Sequence, residues 1–255
     1  LVGRGLADQR CRGERAEVTP VAAHRLDDHE VLVLALDLVD LDALEEHTSG
    51  YTGPLKIQAT GPWTMAASVE LRNGEKMIAD LGAVADLCES FREGLLAHLA
   101  EVRKRVPEAT ILVQVDEPSL PAVLTGSVPT ASGYGRLRAV DRVLVEERLR
   151  ALFSAIDTAG GYPLVHCCAP RVPVDLLRRC GARALSLDAT RLTRESDEAI
   201  GTAVESGVGL LLGVVPAVDS RMSPPVDTVE PVRELWHRIG FDPEHATRDV
   251  VITPV

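Results

Sequence analysis

The sequence predicts an α/β fold, and within that class a (β/α)8 barrel. Short apolar runs alternate along the chain with longer segments of helical periodicity, which is typical of a parallel sheet covered by helices. The runs are continuously apolar, as expected for strands buried on both faces. A doubly wound open sheet is the competing architecture. It usually carries a glycine-rich nucleotide-binding turn, and the sequence contains neither a G-x-G-x-x-G nor a Walker A pattern.

Six of the apolar runs are predicted strands. Each is short and is bounded by turn residues or polar residues, which is the pattern of a buried strand. The predicted strands are Leu55–Thr60, Ile111–Asp116, Leu164–Cys168, Ala184–Asp188, Leu210–Val215 and Val250–Val255. A further apolar run, Val31–Leu36, precedes them.

The segments between the strands repeat apolar residues every three or four positions. This spacing places the apolar side chains on one face of a helix. The predicted helices are Asp40–His47, Ile78–Val106, Arg142–Ala159, Arg171–Arg179, Glu195–Glu205 and Pro231–Ile239.

The pattern predicts one barrel domain over residues 1–255. Residues 1–50 are irregular and form an excursion, whereas residues 51–255 carry the six strands and their helices. The chain begins with Leu1 rather than Met, and the first barrel strands of a complete domain are not evident. We therefore expect the barrel to be incomplete at both ends of this chain.

Composition excludes several classes of function. The chain has 27 Lys and Arg against 38 Asp and Glu, a net charge of −11, so a bulk electrostatic field for nucleic acid or an anionic membrane is absent. No apolar stretch approaches the roughly 20 residues that span a bilayer, and no signal peptide is visible. The five cysteines indicate a reducing compartment. We expect a cytoplasmic protein that acts on a small molecule.

The sharpest candidate site is His166-Cys167-Cys168, at the end of a predicted strand. Side chains alternate along a strand, so His166 and Cys168 point to the same side. Neutral imidazole and thiolate are preferred zinc ligands. Asp188 ends the next predicted strand and could supply an oxygen ligand. The alternative interpretation is a buried cysteine without a metal, because cysteine is among the residue types most often buried.

A second candidate is the acid pair Asp116-Glu117, which follows another predicted strand and precedes Pro118. Paired acids at a strand end could bind a cation or an amino group, although such pairs are also common as helix caps. Gly61-Pro62-Trp63 predicts a turn with close backbone approach.

These segments, taken in order, resemble the C-terminal catalytic domain of cobalamin-independent methionine synthase. The resemblance covers the chain from about Tyr51 onward, and each segment alone is weakly specific. The segments that carry it are Thr60–Thr64, Gln114–Pro118, His166–Cys168, Leu185–Asp188, Gly213–Val215 and Val250–Val255.

The resemblance implies a (β/α)8 barrel whose zinc cofactor binds homocysteine as a thiolate. A methyl group passes from a folate to the sulfur, so the implied activity is that of a methyltransferase of methionine and amino-acid biosynthesis. By this resemblance, His166 and Cys168 match zinc ligands, and Asp188 stands where the family has a zinc-binding Glu. Asp116 matches the acid that holds the substrate's amino group, and Glu117 is assigned to substrate binding with it.

The sequence departs from the family at several of its functional positions. The family's fourth zinc ligand is a Cys just past the last strand, and the chain ends at Val255. Ala122 stands where a second amino-acid-binding acid is expected, and Ser68 where a folate-contacting Trp is expected. The loop Pro216–Asp219 lacks the family's proton-donating His. The chain is therefore identified as a short, single-barrel relative.

Two alternatives follow from these departures. The chain could be a zinc thiol alkyltransferase that uses a methylated corrinoid or another donor, or a non-catalytic relative that retains thiol or zinc binding. In every case Cys11, Cys88 and Cys180 are expected to take no part in the chemistry, because Cys88 and Cys180 fall on packing positions.

Overall fold

The computed structural model describes residues 38–216 and 224–254. Its centre is a six-stranded, wholly parallel sheet. The strands are β1 Pro54–Thr60, β2 Thr110–Asp116, β3 Tyr162–Cys167, β4 Ala184–Asp188, β5 Gly209–Val215 and β6 Val250–Pro254. All six predicted strands are confirmed. The run Val31–Leu36 and Cys11 lie outside the described residues.

Ten helices connect or flank the strands in the described residues. They are α1 Leu38–His47, α2 Pro62–Ser68, α3 Leu81–Arg105, α4 Leu120–Thr125, α5 Arg142–Thr158, α6 Val174–Arg179, α7 Arg194–Glu205, α8 Pro225–Thr228, α9 Glu230–Ile239 and α10 Pro243–Asp249. Two short 3-10 turns, Met77–Ala79 and Ala189–Arg191, accompany them. None of the helices in the described ranges is long and apolar enough to cross a membrane.

The strand order follows the chain order from β1 to β6. A doubly wound sheet reverses its order at a switch point, so the observed order excludes that alternative for the described residues. The sheet curls as a half-barrel. Closure into an eight-stranded barrel stays a prediction, because the described residues supply six strands.

One face of the sheet packs beneath the helices and forms the core. On β2, Ile111, Val113 and Val115 point to this face and are at most 2% exposed. Gln114 and Asp116 alternate with them and point to the opposite face, where polar side chains collect. The apolar layer fixes the register, and the register in turn fixes which residues lie at the carboxyl ends of the strands.

The long helix α3 shows why one predicted boundary was wrong. The periodic pattern begins at Ile78, but the helix begins at Leu81 because the carboxylate of Asp80 accepts hydrogen bonds from the backbone N–H groups of Gly82 and Ala83, at 2.9 and 3.2 Å. An N-cap of this kind ends the preceding 3-10 turn and starts the helix.

Candidate functional site

The sheet register brings the predicted site residues to one edge. Asp116 on β2 pairs with His166 on β3, and His166 pairs with Ser186 on β4. Cys168 directly follows β3, and Asp188 is the last residue of β4. Asp116, His166, Cys168 and Asp188 therefore lie together at the carboxyl ends of neighbouring strands, as the sequence predicts. We call these four residues the strand-end face.

His166 is half-buried and oriented by the neighbouring strand. Its Nδ1 lies 3.0 Å from the hydroxyl oxygen of Ser186. This contact leaves Nε2 as the ring nitrogen available to a ligand. A second partner on the other nitrogen is the usual way in which a metal-binding imidazole is fixed in orientation.

The two adjacent cysteines have opposite environments. Cys167 is fully buried in the apolar layer, and this burial raises the pKa of its thiol to about 12. Cys168 is half-buried at the end of the strand. The alternation predicted from the sequence is therefore observed, and of the two thiols only Cys168 is open to a ligand.

Asp188 is buried, and its carboxylate faces its own turn. Oδ1 accepts hydrogen bonds from the backbone N–H and the hydroxyl of Thr190, at 2.9 and 2.6 Å. Oδ2 accepts a hydrogen bond from Nε of Arg191 at 3.0 Å. The carboxylate thus caps the 3-10 turn that follows β4, a role that the sequence analysis did not anticipate.

The strand-end face, as its side chains lie, does not assemble a complete metal site. Within residues 38–216 and 224–254, no group of three or more His, Cys, Asp and Glu side chains could hold a metal ion. A catalytic zinc takes three protein ligands. His166 and Cys168 have the right donor chemistry, but Asp188 is bonded to Thr190 and Arg191 instead.

Asp116 belongs to a polar chain that the sequence analysis missed. Its Oδ1 accepts a hydrogen bond from Nε2 of Gln114 at 2.7 Å, and Oε1 of Gln114 accepts one from Nζ of Lys56 at 2.9 Å. Lys56 also donates to Oε1 of Gln58, at 2.9 Å. A signal for this polar chain was present in the sequence. Lys56 and Gln58 are two residues apart on one strand, and Gln114 and Asp116 are two residues apart on the next, so each pair lies on one face of the sheet.

Glu117 differs from its expected role in substrate binding. Its side chain is fully buried, and both carboxylate oxygens are bonded to the first turn of α2. Oε1 accepts from the backbone N–H of Trp63 at 3.0 Å, and Oε2 accepts from the backbone N–H and the hydroxyl of Thr64, both at 2.8 Å. Burial raises the pKa of Glu117 to about 7 against the opposing effect of these hydrogen bonds. These contacts make Glu117 a cap of α2, and its assignment to substrate binding stays a prediction.

Gly61 makes room for this cap. A Cβ on Gly61 would lie 2.7 Å from Cγ of Glu117 and would overlap its carboxylate. The backbone N–H of Gly61 donates to the carbonyl of Asp116 at 2.8 Å, and the backbone N–H of Glu117 donates to the carbonyl of His166 at 2.7 Å. The close backbone approach predicted for Gly61-Pro62-Trp63 is confirmed, and it ties together the ends of β1, β2 and β3.

Comparison with models of known protein families finds no match, and neither does comparison with curated proteins. Several solved structures are weakly similar. A putative alpha-L-fucosidase from Bacteroides thetaiotaomicron is 12% identical, with 65% of this chain and 44% of that chain covered and a TM-score of 0.30. This chain therefore spans less than half of the fucosidase chain.

Two other solved structures match over more of this chain. A 2,3-dimethylmalate lyase, described as a member of the PEP mutase/isocitrate lyase superfamily, is 15% identical, with 84% of this chain and 80% of that chain covered and a TM-score of 0.32. The carboxyl transferase domain of Rhizobium etli pyruvate carboxylase is 12% identical, with 97% and 48% covered and a TM-score of 0.29. Similarities this low carry no argument about function.

Proposed function

We propose that the strand-end face is the site of a zinc-dependent methyl transfer to the thiol of homocysteine, which forms methionine, with a methyl-folate as the donor. The observation that carries the proposal is the pair His166 and Cys168. They lie two residues apart at the end of β3, and the other ring nitrogen of His166 is held by Ser186 at 3.0 Å. The resemblance to cobalamin-independent methionine synthase supplies the reaction.

In this proposal Asp116 binds the ammonium group of the amino-acid substrate. The hydrogen bond from Gln114 to Oδ1 fixes the orientation of the carboxylate. Oδ2 can then accept a charge-assisted hydrogen bond from the ammonium. Since Asp116 pairs with His166 across β2 and β3, an amino acid bound there would have its side chain next to the end of β3.

His166 and Cys168 are the residues that would hold zinc, and a bound zinc would supply a substrate thiolate at neutral pH. A third protein ligand from the described residues requires Asp188 to turn away from Arg191. That exchange is physically accessible because the side chain of Arg191 is 57% exposed and water can solvate its guanidinium. The family pattern places a further Cys just beyond Val255.

Metal analysis tests the proposal directly. The full-length protein should hold about one zinc per chain, as expected for a single site with protein ligands. Zinc should be lost in Cys168→Ala and retained in Cys167→Ala, because Cys167 faces the apolar core. Cys180→Ser, which changes a buried thiol at the end of α6, is the matched control and should leave the zinc content unchanged. Equal zinc in the wild type and in Cys168→Ala would refute the site.

A second candidate is a relative that retains thiol or zinc binding without catalysis. The hydrogen bonds that Asp188 accepts from Thr190 and Arg191 favour it, since they leave the metal site incomplete. Titration of the zinc-loaded protein with homocysteine, followed by methyl-folate, methylated corrinoid or a methylated thiol, separates the candidates. Methionine formed with one donor identifies an enzyme and its donor. Homocysteine binding without turnover with any donor identifies the non-catalytic relative.

A further inference from the structure

A pocket of about 230 Å³ opens beside the strand-end face. Its walls come from the loop after β3, from the 3-10 turn after β4 and from the first turn of α7. Ala169, one residue beyond Cys168, lines it together with Arg171 and Arg191. The pocket therefore borders the predicted site but is formed by residues that the proposed methyl transfer does not use.

The two arginines give this pocket a cationic lining in a chain with a net charge of −11. Arg191 uses Nε to bond Asp188, and its side chain is 57% exposed. Within the described ranges, no carboxylate forms an ion pair with Arg171. A guanidinium presents five N–H donors in a planar fork, so both side chains have donors left for an oxyanion.

Two further features of the pocket affect whether it favours an anionic or a cationic ligand. The N-cap of the 12-residue helix α7 is Thr193, whose side chain makes no capping hydrogen bond, so the positive end of the helix faces this loop region. Glu195 also lines the pocket and opposes an anion. Two guanidinium groups and a helix amino end thus stand against two carboxylates, the exposed Glu195 in the pocket wall and Asp188, which is bonded to Nε of Arg191.

We propose that this pocket binds the phosphate or carboxylate group of a small molecule, with Arg171 and Arg191 as the cationic contacts. An oxyanion fits because arginine bonds phosphate and carboxylate in a bidentate manner. The proposal does not depend on zinc or on a thiol substrate. It assigns a ligand class to a site next to the strand-end face, whichever reaction that face performs.

The test is calorimetric titration of the full chain with inorganic phosphate and, separately, with succinate at low ionic strength. We expect saturable binding of at least one of them. Affinity should fall about tenfold in Arg171→Gln and in Arg191→Gln, the loss expected for a charged hydrogen bond. Arg233→Gln, which removes an exposed arginine outside the pocket, is the matched control and should bind as the wild type does. Glu195→Gln should bind more tightly.

A second variant separates loss of binding from loss of fold. Arg171 is the only non-glycine residue with positive φ in the part of the chain that the structure describes, at 57°. Arg171→Gly should therefore raise the midpoint of thermal unfolding while it weakens anion binding. Failure of both anions to bind the wild type would overturn the proposal, as would unchanged affinity in Arg171→Gln and Arg191→Gln. Neither outcome bears on the zinc content of Cys168→Ala, so the two proposals fail independently.

Discussion

Glu117 and Asp188 are two buried carboxylates at the carboxyl ends of β2 and β4, the two strands that flank β3, and they differ in their partners. Each caps a helical turn: Glu117 bonds the first turn of α2, and Asp188 bonds the 3-10 turn that follows its strand. Asp188 also pairs with the guanidinium of Arg191 at 3.0 Å. The partners of Glu117 are neutral N–H and O–H groups from Trp63 and Thr64.

This difference separates a structural acid from one that can serve a ligand. A buried carboxylate without a cation is costly to keep ionised, and its pKa rises. Glu117 is sealed from solvent and has no exposed partner to exchange. Asp188 forms an ion pair with Arg191, whose side chain is 57% exposed, so a cation or a metal could replace that arginine.

The largest expected effect is the pH dependence that Glu117 gives to stability. Its pKa rises from 4.5 to about 7 in the folded chain. Because the folded state holds this proton more tightly than the unfolded state, the contribution is complete below the unfolded pKa and is lost as the pH rises through the folded pKa. We expect the free energy of unfolding to fall by about 3 kcal/mol from about pH 4 to about pH 8 on account of this group.

Urea unfolding of the wild type and of Glu117→Gln over that pH range isolates the effect, because glutamine has the same size and does not titrate. The difference in the free energy of unfolding between the two proteins should change by about 3 kcal/mol across the range. A difference that stays constant with pH would show that burial does not raise the pKa of Glu117.

The same contrast shows how far the sequence could predict this molecule. The six strands were predictable because continuous apolar runs reflect burial on both faces, which is a local property. Helix α2 was predicted as a turn, since its amino end is completed by Glu117, which is distant in the sequence and follows the paired strand β2. Strand alternation separates Asp116 from Glu117, and grouping the two acids by adjacency hid the role of Glu117 as a cap of α2.

The partners of the predicted site residues were less predictable than their positions. Register placed Asp116, His166, Cys168 and Asp188 at one edge, because parallel strands with a shared apolar face have a defined alignment. The hydrogen bond that Arg191 donates to Asp188 depends on a rotamer within a tight turn, which composition and spacing do not determine. The chain from Lys56 to Asp116 depends on tertiary pairing of β1 with β2.

A smaller effect is expected from closing the space that Gly61 leaves for the Glu117 carboxylate. Gly61→Ala places a methyl group 2.7 Å from Cγ of Glu117, so the cap must shift. We expect a loss of about 2 kcal/mol in the free energy of unfolding, as for an overpacked core. Gly201→Ala is the control, because its Cβ would lie 3.8 Å from Phe241 and alanine favours a helix. Equal stability of the two variants would mean that the Glu117 side chain is not tightly packed against Gly61.

The smallest expected effect on stability comes from removing Arg191, the ion-pair partner of Asp188. It tests whether Asp188 differs from Glu117 in its dependence on a partner. Arg191→Gln removes the cation but leaves the two bonds from Thr190 in place. Since the arginine is largely exposed and water can replace it, the free energy of unfolding should fall by about 1 kcal/mol or less. Urea unfolding measures this loss, with Arg233→Gln as the control for removal of an exposed arginine that also pairs with an acid. A loss of several kcal/mol in the free energy of unfolding would show that the buried carboxylate of Asp188 requires Arg191 as its partner. Asp188 would then not be available as a metal ligand.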